Sequence, residues 1–200
     1  GIPVFQPVKI KEKDAVMQLK EYPADLFVVA AFGQILSQEI LDLPPFGCIN
    51  IHASLLPAYR GAAPIQWAVI NGETKSGVTI QQMEKGLDTG DILLKREIPV
   101  EPKETGESLY GKLMALGAEL VVEALPLIES GKITPQKQDD SASSYAPRLT
   151  KEMGCIDWSK DAHELERLVS GLNSWPSAYT KWKGKTLKIW EADVVQGQGN

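Results

Sequence analysis

The chain alternates between short unbroken apolar runs and longer amphipathic stretches, and the order of the two sets the expected fold. "ADLFVVAAFG" (24–33) is continuous, β-branched and closed by glycine, which predicts a strand buried on both faces of a parallel sheet. "GCINIH" (47–52) predicts a second strand of this kind. Between them "QILSQEILDLPP" carries apolar residues at helical spacing and stops at Pro44-Pro45, so it predicts a short crossover helix. Strand, helix and strand in that order make a β-α-β unit. Such a unit implies an α/β fold, with ligands at the carboxyl ends of the strands. Further on, Pro64 suits the first turn of a helix through "IQWAVINGE", with Gly72 as its stop. "GVTIQQME" (77–84) alternates as a half-buried strand and "DILLKREIPV" (91–100) predicts another. The intervening "KGLDTG" (85–90) is too rich in glycine for regular structure and predicts an exposed, mobile loop with one acid, Asp88. Thr105 can cap a long amphipathic helix with Leu109, Leu113, Leu116, Leu120 and Val121 on its buried side, disturbed by Pro126 and ended by Gly131.

The pattern then lapses. "QKQDDSASSYAPRLT" (136–150) is polar and without periodicity, which reads as a linker between a first domain (1–135) and a second (151–200). In the second, "SKDAHELERLVSGL" predicts a helix capped by Ser159, with Ala162, Leu165, Leu168, Val169 and Leu172 on one face. "AYTKWKGKTLKIWEADVV" predicts a hairpin around Lys183-Gly184. One helix and one hairpin cannot close a barrel. With no initial methionine and an end just after a strand-like run, the chain is expected to be a piece of a longer one.

Composition narrows the function. Two hundred residues, 43% hydrophobic and 24% charged, describe an ordinary globular protein. No apolar run approaches the ~20 residues that cross a bilayer, and the opening residues lack a secretory core, so a cytoplasmic protein is expected. Cys48 and Cys155 form no CxxC pair and read as unpaired thiols. The two histidines stand 111 positions apart, so no metal site is expected, and His163 reads as a solvated helix residue. There is no phosphate loop, GxGxxG or GxSxG, and Ser54 follows His52 too closely to serve as its nucleophile. The net charge of −5 argues against a general nucleic-acid binder, but it divides into −6 over residues 1–131 and +1 over 132–200. In the second part Lys181, Lys183, Lys185 and Lys188 gather around Trp182, as a phosphate-binding patch or as lysines guarding an edge strand.

One constellation remains. Residues two apart in a strand share a face, so Asn50 and His52 project together from a strand end. Alone, that pair is compatible with a histidine hydrogen-bonded in the core. Asp88, expected at the same sheet edge, changes the reading. An amide donor and an imidazole could grip a carbonyl oxygen as it becomes an oxyanion, and a carboxylate beside the imidazole would favour its charged form. Such a set suits acyl or formyl transfer to an amine with no metal and no covalent intermediate.

"NIHASLLPAYRGAAPIQWAVINGETKSGVTIQQMEKGLDTGDILL" is similar to the core of the folate-dependent formyltransferases. "RGAAPIQ" with "GVTIQQMEKGLDTGDIL" most resembles the branch whose acceptor is a charged initiator tRNA. The resemblance implies a Rossmann-like, mostly parallel sheet with flanking helices, a linker, and the start of an OB-like carboxyl-terminal barrel that helps hold tRNA. It implies a monomer that moves the formyl group of 10-formyltetrahydrofolate to the α-amine of methionyl initiator tRNA, supporting translation initiation. Asn50, His52 and Asp88 would be catalytic. Ser54, Leu55, Leu56 and Pro57 would contact the folate, Gln34, Ile35 and Leu36 would line the pterin pocket, and the loop with Gly86 and Leu87 would lie over it. An amino-terminal β-α region and the last barrel strands are expected to be missing. A 10-formyltetrahydrofolate hydrolase and nucleotide-sugar formyltransferases share the trio. A non-catalytic α/β binding module is the reading from another class.

Overall fold

The apolar runs assemble, in a computed structural model that describes residues 1–197, into one four-stranded sheet flanked by helices. Strand β1 (Phe27–Val29) lies parallel to β2 (Cys48–His52), and α2 (Gln38–Leu41) crosses between them, after a first helix α1 (Lys13–Lys20). The chain leaves β2 through β3 (Arg60–Gly61) and α3 (Pro64–Ile70), then adds β4 (Lys75–Gln82) and β5 (Ile92–Pro99) in the order β1-β2-β4-β5.

The α/β class stands, but this sheet is mixed rather than mostly parallel, because β4 runs antiparallel to both β2 and β5. The connection through β3 and α3 returns to the end of the sheet it left, with β3 held there by β6, so β4 starts beside the end of β2 and His52 lies opposite Thr79. Nor is β1 buried on both faces. It is a sheet edge, and although Phe27 and Val29 pack inward, Val28 is 47% exposed.

The main core lies between one sheet face and α4 (Gly106–Glu129), where Ile49, Val78 and Ile80 meet Leu109, Leu113 and Leu120. Each such side chain contributes roughly 1.5–3 kcal/mol on burial. Gly117 lets α4 approach, since a Cβ there would lie 2.9 Å from Ile51. Helix α4 begins as its sequence predicts: the Thr105 hydroxyl accepts the Ser108 N–H while the Ser108 hydroxyl accepts the Thr105 N–H. The helix continues past Pro126 to Glu129. The opposite sheet face is covered at one end by α1 and α2, through Val16, Ile40 and Leu41 against Cys48.

The stretch expected to be a linker is pinned to the first unit. Gln136 and Ile92 exchange backbone hydrogen bonds, and β6 (Tyr145–Ala146) pairs in parallel with β3. Beyond it come α5 (Ala162–Gly171) and the hairpin β7 (Ala178–Trp182) and β8 (Lys185–Ile189). The cap of α5 is Asp161, whose carboxylate accepts the His163 N–H, and not Ser159, whose amide and hydroxyl are both taken by Asp157. Ala162 is accordingly exposed, whereas Val169 packs on Ile156 and Ala178. Helix α5 also docks on α3, with Arg167 Nε donating to the Ile70 carbonyl at 3.2 Å.

Candidate active site

Alternation along β2 puts Cys48, Asn50 and His52 on one face. Cys48 lies under α2, where burial first and Asp42 second push its thiol up to about 11, so it stays protonated and inert. Asn50 and His52 follow at the carboxyl end and open onto a cleft. The His52 ring is oriented by the backbone: Nε2 lies 2.9 Å from the Tyr59 carbonyl. A carbonyl has no proton to give, so Nε2 is the donor and Nδ1 is left facing Asp88 Oδ1 at 3.7 Å. The Asn50 carboxamide makes no hydrogen bond to another described residue. Opposite Asn50, across the strand pair, stands Gln81.

The loop that carries Asp88 is held rather than mobile. Asp88 takes a positive φ of 53°, an uncommon conformation that aspartate tolerates better than most residues. Its Oδ2 accepts the Gly61 N–H at 2.8 Å and its Oδ1 accepts the Gln81 amide at 2.9 Å. Its own carbonyl accepts from Gln138 Nε2 at 2.8 Å. Gly61 has to be glycine: at φ 113° a Cβ would lie 2.6 Å from the Tyr145 ring and 2.7 Å from the Ala146 carbonyl. Gln81 is 2% exposed and follows a register shift that pairs Ile80 with Leu94 but Gln81 with Ile92. Bulges of this kind re-aim side chains beside functional sites.

Asn50, His52 and Asp88 therefore share one cleft of about 590 Å³, whose walls also include Gln34, Ile35, Leu36, Gly86 and Leu87. That volume suits a small organic ligand. Ile35 and Leu87, 77% and 53% exposed, offer it apolar surface. The structure does not bring Ser54, Leu55, Leu56 and Pro57 to these walls. Ser54 is buried and donates its hydroxyl to the Ala58 carbonyl, which also removes it as a nucleophile. Leu56 is fully buried, its N–H bonded to Thr79 and its carbonyl to Lys95 Nζ. Leu55 lies against Gly77. The turn buries itself in the link from β2 to β3, a tertiary arrangement that its sequence does not display.

Four groups that support the site escaped sequence reasoning: Tyr59, Gly61, Gln81 and Gln138. Gln81 carried no distinguishing signal, because β4 also holds Lys75, Ser76, Thr79 and Gln82. The others act through backbone atoms or from far along the chain. His163 is exposed, as expected, and no cluster of three metal-binding side chains occurs among the described residues. No described helix is long and apolar enough to cross a membrane. On the second unit, Lys183 lies over Trp182 and Lys188 over Trp190, with both indoles at least half exposed.

A family model described as formyl transferase matches residues 3–125, and one described as formyl transferase, C-terminal domain, matches residues 148–200. The chain is 54% identical to the methionyl-tRNA formyltransferase of Agathobacter rectalis, over 98% of this chain and 64% of that protein. Against the enzyme of the same name from Caldanaerobacter subterraneus subsp. tengcongensis it is 52% identical, over 100% of this chain and 65% of the other. It thus spans about 64% of the length of these relatives. HypX from Aquifex aeolicus in complex with tetrahydrofolic acid superposes with a TM-score of 0.76 at 25% identity, covering 92% of this chain and 32% of that one.

Proposed function

The chain belongs to the formyl transferase family, and we propose that the protein moves the formyl group of 10-formyltetrahydrofolate to the α-amine of methionyl initiator tRNA. The observation that carries this reading is the convergence of Asn50, His52 and Asp88 on one cleft, in a chain about half identical to enzymes of that name. The amine nitrogen attacks the formyl carbon and the carbonyl oxygen becomes an oxyanion. The Asn50 amide, which has no other partner among the described residues, and the Nδ1–H that His52 carries as an imidazolium donate to that oxygen. Asp88 offsets the charge of the imidazolium and fixes its direction. When the bond from carbon to N10 of the folate breaks, N10 takes up the proton that the amine gives off.

The folate would lie along Gln34, Ile35 and Leu36, under the loop of Gly86 and Leu87. Support for this placement is the apolar surface that Ile35 and Leu87 offer the cleft. The exposed lysines of the β7–β8 hairpin, with Trp182 and Trp190 beside them, have the chemistry of a phosphate-backbone contact, and we assign them to the tRNA. On this reading the protein acts as a cytoplasmic monomer in translation initiation.

The test is formyl transfer by the full-length protein, with 10-formyltetrahydrofolate and charged initiator tRNA as substrates and formylmethionyl-tRNA as the product measured. Release of formate without transfer would replace the reading by a hydrolase. Formylation of a nucleotide-linked amino sugar in place of the tRNA would move the protein to another branch of the family.

A further inference from the structure

The segment between the two units reaches the site through one side chain, Gln138. Its amide nitrogen donates to the Asp88 carbonyl at 2.8 Å and to the Gly90 carbonyl at 2.7 Å, bridging the loop from behind. Its oxygen is occupied as well. Arg60 donates to it from Nε at 3.0 Å and from Nη2 at 2.9 Å, and the same Nη2 reaches Asp140 at 2.7 Å. Both protons and both lone pairs of the Gln138 amide are thus used, leaving it no alternative arrangement of equal energy. Arg60 is followed by Gly61, whose N–H grips the Asp88 carboxylate, and both residues lie in β3, paired with β6. Backbone, carboxylate and strap are closed into one ring.

We infer that Gln138 is a positioning residue for the transfer reaction: residues 136–146 act as a strap whose Gln138 latch holds Asp88 in its left-handed conformation, facing His52. Four facts make this more than surface packing. Asp88 occupies an uncommon backbone conformation, and one amide satisfies two carbonyls of the same loop. The guanidinium orienting that amide is largely buried, and the strap is also fastened on either side of the latch, at Gln136 and at Tyr145. The segment that looks like a linker is, on this inference, part of the catalytic architecture, and it ties the second unit to the site.

The inference rests on the proposed role of Asp88 in transfer, so one of its tests is independent of activity. In the full-length protein, Gln138→Leu keeps bulk but loses every hydrogen bond, while Gln138→Glu keeps the Arg60 contact and loses the two donors. Both should raise the rate of tryptic cleavage after Lys85 roughly ten-fold, the effect of losing two hydrogen bonds on the open population of the loop, with the thermal midpoint nearly unchanged. Turnover should fall by a similar factor. In an Asp88→Ala background Gln138→Leu should lower turnover by less than about two-fold, because a latch acting through Asp88 has nothing left to hold. Equal cleavage rates in the three proteins would overturn the latch, as would losses that multiply in the double variant. If the unsubstituted protein transfers no formyl group, the functional reading fails by itself and the cleavage rates alone decide the latch.

Discussion

Asp88→Asn is the change that best separates charge from shape in this site. Asp88 and His52 are 13% and 6% exposed and stand 3.7 Å apart, so water screens the pair only in part. At that separation, with an effective dielectric constant of about 20, opposite unit charges interact by about 4 kcal/mol. Losing half of that, about 2 kcal/mol, from a transition state that carries an imidazolium would slow the reaction about 30-fold. The loop should survive the change. The new side chain keeps one oxygen to accept the Gly61 N–H, and its amide group faces Gln81. The Gln81 oxygen has no partner in the native site, so turning that amide over would let it accept the new N–H. Single-turnover formyl transfer at saturating 10-formyltetrahydrofolate and charged tRNA measures the step directly, and a crystal structure of the variant checks the loop. Turnover within about three-fold of the unsubstituted enzyme, with the loop in place, would show that Asp88 serves only its turn.

Asn50→Ala should lower turnover by about 10²-fold or more and leave folate affinity nearly intact, measured by titration with a non-reactive folate, because an oxyanion donor acts in the transition state. Replacing Lys181, Lys183 and Lys185 together by glutamine should weaken tRNA binding and flatten its dependence on salt, with folate affinity constant; an unchanged slope would make the patch an ordinary solvated hairpin. Burial raises the Glu104 carboxyl, but Lys112 and Ser108 outweigh it and hold it below its ordinary value of 4.5. A lowered carboxyl stabilises the fold above the unfolded-state value and loses that contribution as pH falls through the folded one. Glu104→Gln should therefore cost on the order of 1 kcal/mol in urea unfolding at pH 7, discounted because Lys112 is 44% exposed, and the difference should shrink as the pH falls from 4.5 through the lowered folded-state value.

The parts of the fold legible in the sequence are those settled by neighbours along the chain. The Thr105 cap, the buried leucines of α4 and the hairpin turn at Lys183-Gly184 depend on residues three or four apart, and each is as expected. The direction of β4 is not local, since it depends on where the connection through β3 and α3 is docked. The expected cap of α5, Ser159, is engaged by an aspartate two residues earlier, and Asp161 caps the helix instead. The strap was opaque for a further reason. Its attachments at Gln136 and Tyr145 are backbone hydrogen bonds, open to any residue but proline, so composition carries no trace of them.

The site divides along the same line. The spacing of Asn50 and His52 is enough to put them on one face of β2, whatever surrounds the strand. What fixes Asp88 is not in its own neighbourhood: Gly61 and Gln138 lie 27 and 50 positions away in the chain. A flexible, glycine-rich loop is therefore the reading its sequence invites, and a held carboxylate is what tertiary contacts make of it. The difference bears on chemistry. Aspartate tolerates positive φ better than most residues, and contacts from β3, β4 and the strap fix where its carboxylate points. Removing any one leaves only the other two to aim it. Substitutions at Gly61, Gln81 or Gln138 should therefore act alike, by turning the carboxylate away from His52.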